Sequence, residues 1–166
     1  MSHMIPAMDM SIRLEAATEQ DLDQILRLQK RAFSGQALIY NDFNLPALTQ
    51  TLDDLKKELT SKMIYKVTVE GKIIASIRCG ITDRILHIEK LIVDPDLQNR
   101  GIGTQIMHAL EKRYAFAVDR YVLFTGHKSA RNLHLYRKLG YKEIRQEPLN
   151  ANCSLIVMEK NAIDGA

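Results

Sequence analysis

The stretch His87-Ile88-Glu89-Lys90-Leu91-Ile92-Val93-Asp94-Pro95, followed by Gln98-Asn99-Arg100-Gly101-Ile102-Gly103-Thr104, decides how this chain is read. Its first half is an apolar-rich run that stops at Asp94-Pro95, a dipeptide that ends strands. Its second half opens a helix running to about Ala117, with Ile102, Ile106, Ala109, Leu110 and Tyr114 on one side. A helix start presents unpaired backbone N–H groups and the positive end of the dipole, so it suits an anion. Gly101 and Gly103 let a diphosphate approach the backbone without meeting a Cβ. Gln98, Arg100 and Thr104 add side-chain donors. No Gly-Lys-Ser/Thr follows, so the Walker pattern is absent, and Ile106 stands where a dinucleotide fingerprint needs its third glycine. On spacing alone, a purely structural turn explains Gly-x-Gly equally well.

Working outward, Ile12 to Ala16 reads as a first strand. Thr18 and Asp21 form a capping-box pattern before Leu22, Ile25, Leu26 and Phe33 at helical spacing. Ser34 to Leu48, with Gly35, Asn41, Asn44 and Pro46, has no clear period and reads as a loop or broken helix. Thr51 and Asp54 cap a second helix with Leu52, Leu55 and Leu59 on its apolar face. Met63–Val69 and Lys72–Cys79 flank Glu70-Gly71 as a hairpin, and Ile85–Val93 is the next strand. Tyr121–Thr125 is a continuous apolar run, the pattern of a strand covered on both faces. Ala130–Leu139 reads as a helix closed by Gly140, with strands at Tyr141–Ile144 and Ser154–Met158 after it. This order makes an α/β domain built around one sheet.

At 166 residues, 46% hydrophobic and 26% charged, the chain suits one globular domain. Residues 1–10 read as a disordered N-terminus, with Met1-Ser2-His3-Met4 resembling a cloning remnant, and residues 11–166 as the single domain. The formal charge of +3, without a basic stripe interleaved with aromatics, argues against nucleic acid as a partner. No apolar run is long enough for a membrane span, and no secretory leader pattern is present. Cys79 and Cys153 lie far apart in apolar, strand-like segments and read as two reduced thiols of a cytoplasmic protein. The five histidines show no metal-ligand spacing, so no metal is expected.

Gln98-Asn99-Arg100-Gly101-Ile102-Gly103 resembles the Q/R-x-x-G-x-G/A signature of the GNAT superfamily of N-acetyltransferases. Downstream, Asn132-Leu133-His134-Leu135-Tyr136-Arg137-Lys138-Leu139-Gly140-Tyr141 is similar to that family's second motif, N-x-x-x-Y-x-K-L-G-Y/F. The resemblance covers Ile12 to Lys160 and is strongest between Glu89 and Tyr141. It implies a central mixed, largely antiparallel sheet of about seven strands flanked by about four helices. It also implies acetyl-CoA as the acyl donor and direct transfer to a primary amine of a small molecule, peptide or protein. The backbone of Leu91, Ile92 and Val93 would run beside the pantetheine arm. Gln98, Asn99, Arg100, Gly101, Ile102, Gly103 and Thr104 would wrap the pyrophosphate. Asn132 would contact pantetheine, Tyr136 the thioester sulfur and Lys138 the nucleotide phosphates.

An aliphatic amine is protonated at neutral pH, and only its neutral form attacks a thioester, so a base must take a proton. Strict strand alternation puts His87, Glu89, Leu91 and Val93 on one face. Family members commonly carry a Glu or His base at one of the first two positions. Glu89, acting through water, is the first choice and His87 the second. A backbone N–H near Leu91 would face the oxyanion, and Tyr136, a phenol that stays protonated, would return a proton to the departing thiolate. For the acceptor, Ser34–Leu48 and Arg145–Asn152 are the family's contact segments, with Tyr40, Asp42 and Phe43 suited to a cationic amine. A catalytically silent acyl-CoA-binding regulator is the rival reading. By family analogy, a homodimer would use the apolar Leu155–Met158 strand.

Overall fold

The computed structural model describes residues 12–163. The expectations for residues 1–10 therefore lie outside the described residues. Seven strands make one sheet: β1 (Glu15–Ala16), β2 (Met63–Val69), β3 (Lys72–Thr82), β4 (Ile85–Val93), β5 (Arg120–Gly126), β6 (Lys142–Pro148) and β7 (Ser154–Asn161). Their order is β1-β2-β3-β4-β5-β7-β6, antiparallel except for the β4–β5 pair. Five helices are found among the described residues: α1 (Leu22–Tyr40), α2 (Pro46–Thr49), α3 (Leu52–Ser61), α4 (Ile102–Tyr114) and α5 (Ala130–Lys138). None is long and apolar enough to cross a membrane.

Local chemistry sets most of the boundaries. The Thr18 N–H bonds the Asp21 carboxylate at 2.8 Å, and Thr51 and Asp54 satisfy each other's backbone N–H groups at 3.0 and 3.1 Å. Glu70 (φ 52°) and Gly71 (φ 77°) both adopt the left-handed conformation that a two-residue hairpin turn requires. The first strand is shorter than Ile12–Ala16, because only Glu15 and Ala16 pair with Lys66 and Tyr65.

The segment read as a loop or broken helix from Ser34 is resolved differently. α1 continues through Gly35 to Tyr40, stops at left-handed Asn41 (φ 50°), and α2 follows at Pro46. The continuation is driven by burial. Gln29, Ala37 and Tyr40 extend the inward stripe of Ile25 by turns of the helix, and each is under 4% exposed.

α1 and α3 cover one face of β2–β4, where Leu22, Ile25, Leu26, Leu55, Ile64 and Ile92 pack together. α4 and α5 cover the other face, with Ile102, Ile106, Met107, Leu110, Leu133 and Tyr136 against Ile77, Leu86, Leu123 and Met158. Each such aliphatic side chain contributes roughly 1.5–3 kcal/mol by leaving water. The helices do not reach across the α1 side of β5. Tyr121, Leu123 and Thr125 are buried toward α4, but Phe124, pointing the other way, is 44% exposed. β5 is thus covered on one face, not on both. β7 lies inside the sheet, with Ile156, Val157 and Met158 buried in their own chain, so it offers no free edge for a partner. The edges of the sheet are β1 and β6.

Candidate active site

β4 and β5 pair only from Ile85–Ile88 against Arg120–Leu123. Beyond that point β4 stays with β3 as far as Val93–Ala75, and β5 stays with β7 as far as Gly126–Leu155. The two strands part, and backbone groups of Leu91 to Val93 face a cleft instead of a neighbouring strand. Unpaired strand edges invite an extended ligand. The cleft opens into a cavity of about 510 Å³ bounded by α1, the end of β4 and the turn into α5. A second cavity of about 360 Å³ lies against the start of α4 and shares Leu91, Val93, Gln98, Arg131 and Asn132 with the first.

The expected alternation along β4 is interrupted. The register slips between the Arg78–Glu89 and Ser76–Ile92 pairs, and Lys90 takes a left-handed φ of 52°. A bulge of this kind moves every later side chain to the opposite face. His87 and Glu89 consequently share the α1/α3 face with Ile92, while Leu91 and Val93 pack with Leu86 and Ile88 on the α4 side. The four residues are not on one face. Leu91 and Val93 line the cleft. Glu89 stands half-buried on the sheet's other side and lines neither cavity, and His87 is exposed further down the strand, opposite Gly80 and Val122.

Glu89 belongs to a charged cluster that local sequence spacing did not announce. Lys62, at the end of α3, grips both its carboxylate oxygens at 2.7 and 3.0 Å and lies 3.6 Å from Glu58. Glu58 also accepts from Arg78 at 3.2 Å and from Gln50. Arg78 is 1% exposed and reaches Gln29 and Gln50 as well, yet its Nε has no hydrogen-bond partner. Burial pushes the Arg78 guanidinium down from its usual range, against the pull of Glu58 and Glu89. Arg78 interrupts the apolar run Ile77-Arg78-Cys79, and a charge in a central strand was the one available sequence signal.

At the start of α4, Asn99 (φ 65°) and Gly101 (φ 79°) both take left-handed conformations, curling the backbone before Ile102. A Cβ on Gly101 would meet nothing within 4 Å, so its side toward solvent is open to a ligand. On Gly103 a Cβ would touch Leu135 at 3.4 Å and Leu91 at 3.8 Å, so this glycine lets α4 approach α5 closely. Arg100 and Lys138 are exposed and Thr104 half-buried, all near the helix start. Gln98 donates to the Val93 carbonyl at 3.3 Å and accepts from Arg131, tying the end of β4 to α5. Asn132 donates to Thr125 at 3.3 Å.

Tyr136 is 5% exposed, its ring edge-on to Tyr141 at 6.0 Å. Burial raises its phenol well above the usual range, so it stays protonated at every physiological pH. Burial also pushes the Cys79 thiol up to about 11, and raises that of Cys153, so neither is a ready thiolate. Across the cleft, the Tyr40 hydroxyl accepts from the Lys128 N–H at 2.8 Å and hydrogen-bonds Ser129 at 2.9 Å, and Ser129 donates to Gln36 at 2.9 Å. This latch fixes α1 to the turn after β5 and shapes the larger cavity. Tyr40 was singled out in the sequence as an amine-holding residue, but it is 3% exposed and engaged in this latch.

A family model described as an acetyltransferase (GNAT) domain matches residues 29–162. The S-(2-succino)cysteine N-acetyltransferase of Bacillus subtilis (strain 168) is 27% identical over 161 residues, covering 91% of this chain and 96% of the relative. Among solved structures, the ribosomal-protein-S18-alanine N-acetyltransferase from Escherichia coli superposes with a TM-score of 0.75 at 17% identity. The overlap is 91% of this chain and 94% of that one. A spermidine N-acetyltransferase from Vibrio cholerae, solved with CoA and spermine, gives 0.71 at 15% identity, over 92% and 96% of the chains.

Proposed function

The chain belongs to the GNAT family and is an acetyl-CoA-dependent N-acetyltransferase, and from that premise we propose how its own residues divide the work. The observation that carries the reading is the parting of β4 from β5 directly above a helix start curled by Asn99 and Gly101. The free backbone edge of Leu91–Val93 suits the amide-bearing pantetheine arm, as a strand suits a strand edge. The N–H groups of Ile102, Gly103 and Thr104 are first-turn donors without helical acceptors, and with Gln98 and Arg100 they form an anion cradle for the pyrophosphate. Asn132 lies on the pantetheine side, and Lys138 and Arg131 supply charge toward the phosphates.

Acetyl-CoA supplies the acyl group. Glu89 takes the proton from the acceptor ammonium, through water, on the α1/α3 face of the split. His87 is the weaker candidate, because it is exposed and two residues further from the parting strands. Tyr136, held protonated by burial, returns a proton to the departing sulfur. Two free, buried cysteines and this co-substrate suit a cytoplasmic setting. A chemical precedent is the relative named S-(2-succino)cysteine N-acetyltransferase, whose acceptor is an amino-acid thioether, so the acceptor proposed here is a small amino-acid-like amine.

Calorimetric titration with acetyl-CoA tests the site. Wild type should bind in the micromolar range, and Gly101→Glu should abolish binding by charge, bulk and strain at a positive φ. Unchanged binding by a folded Gly101→Glu protein would refute the cradle.

A further inference from the structure

The cluster around Glu89 has an unbalanced charge. Lys62, Arg78 and Lys90 bring three positive charges against the two carboxylates of Glu58 and Glu89. Four of these groups are matched: Lys62 bridges Glu89 and Glu58, and Arg78 is bound to Glu58, Gln29 and Gln50. Lys90 is the exception. Among the described residues, no carboxylate lies within ion-pair distance of its ammonium, although the side chain is half-buried beside four charged neighbours. It sits on the bulge between Glu89 and Leu91, in a backbone conformation that side-chain-bearing residues rarely adopt. A half-buried unpaired ammonium is costly, and strained, uncompensated groups concentrate where a ligand completes them. Burial, and then the charge of Arg78, hold the Lys90 ammonium below the usual lysine range, against the pull of Glu89 and Glu58.

An acceptor amine enters this surrounding as a cation. A polyamine or a bare alkylamine would add to an existing positive surplus. An acceptor carrying its own carboxylate next to the amine would bring ammonium to Glu89 and an anion to Lys90, leaving the surplus no larger than before. We infer that the acceptor is a zwitterion of the amino-acid class, recognised by Lys90 through its carboxylate while Glu89 takes its amine. This rests on the acetyltransferase reading with Glu89 at the acceptor, and narrows it to a substrate class and a specificity residue.

Matched acceptors test it: methionine against methioninamide, and phenylalanine against phenethylamine, with spermidine and a peptide N-terminus alongside. A charge-assisted contact predicts that wild type prefers the carboxylate-bearing member by about 10- to 100-fold in kcat/KM. Lys90→Met should bring that preference to within about threefold, mainly through KM, and Lys90→Arg should restore most of it. The second readout needs no turnover. Calorimetry on the CoA-loaded protein should show methionine binding weakened by Lys90→Met, with CoA affinity unchanged. Equal or better use of methioninamide, phenethylamine, spermidine or the peptide, or an unchanged preference in Lys90→Met, overturns the inference. Failure of acetyl-CoA to bind would instead overturn the reading beneath it. If acetyl-CoA binds but no amine in the panel is acetylated, the zwitterion inference falls while the cofactor cradle stands.

Discussion

Replacing Gly126 with alanine should unsettle the wall of the cleft from a single methyl group. A Cβ there would fall 2.2 Å from the Tyr40 hydroxyl oxygen, 2.7 Å from its Cζ and 3.1 Å from the Ser129 hydroxyl. Tyr40 has little room to retreat, since it is 3% exposed and packed among Leu45, Cys153 and the His127 ring. Its hydroxyl also satisfies the Lys128 N–H. Overpacking of a tight site costs about 1–3 kcal/mol, and each hydrogen bond broken adds about 0.5–1.5. We therefore expect Gly126→Ala to cost about 2–4 kcal/mol, read as a fall in the urea midpoint at constant m-value and a Tm lower by roughly 4–16 °C. A double-mutant cycle isolates the cause. In a Tyr40→Ala background the methyl group has space, and its cost should drop below about 0.5 kcal/mol. A cost that small in wild type, or an equal cost in both backgrounds, would refute the latch.

Tyr136→Phe should lower kcat by about 100-fold while leaving acetyl-CoA affinity within about twofold, because the ring packing survives and only the proton donor is lost. Steady-state kinetics alongside calorimetry check both halves. Asp94, 2% exposed at the end of β4, gives a pH prediction. Burial alone would raise its carboxyl, but the Asp96 N–H, Arg31 and Lys72 outweigh that and hold it below the usual carboxylate range. A depressed folded pKa contributes stability that is present above the unfolded value of about 3.9 and is lost as pH falls through the folded one. Urea midpoints measured from pH 7 downward should fall below about pH 4 more steeply in wild type than in Asp94→Asn.

Much of the fold was legible because its signals are local. Capping at Thr18 and Thr51, the Glu70-Gly71 turn and the stop at Asp94-Pro95 act within a few residues, and the elements begin and end where such chemistry places them. The reach of α1 was not legible past Gly35. Of the features that prolong it, Ala37 is buried by the tertiary fold and Tyr40 is bound to Ser129, 89 positions away. The open face of β5 was illegible for a related reason. An apolar run reports that a strand is apolar, and only the placement of α1 and α3 decides whether both faces are covered.

By itself the sequence determined the strand–turn–helix with its two glycines, the second motif bearing Asn132 and Tyr136, and hence the family and the reaction class. Those features are contiguous, so their geometry follows from backbone chemistry over a turn or two. The tertiary structure alone decided which face Glu89 occupies. Period-two alternation fails at a single bulged residue, Lys90, and no local pattern in the sequence marks that bulge. It also decided what surrounds Glu89, because Glu58, Lys62, Arg78 and Lys90 come from three separate elements and meet only when α3 closes over β3 and β4. Electrostatic partners are set by distance in space, which sequence separation does not measure.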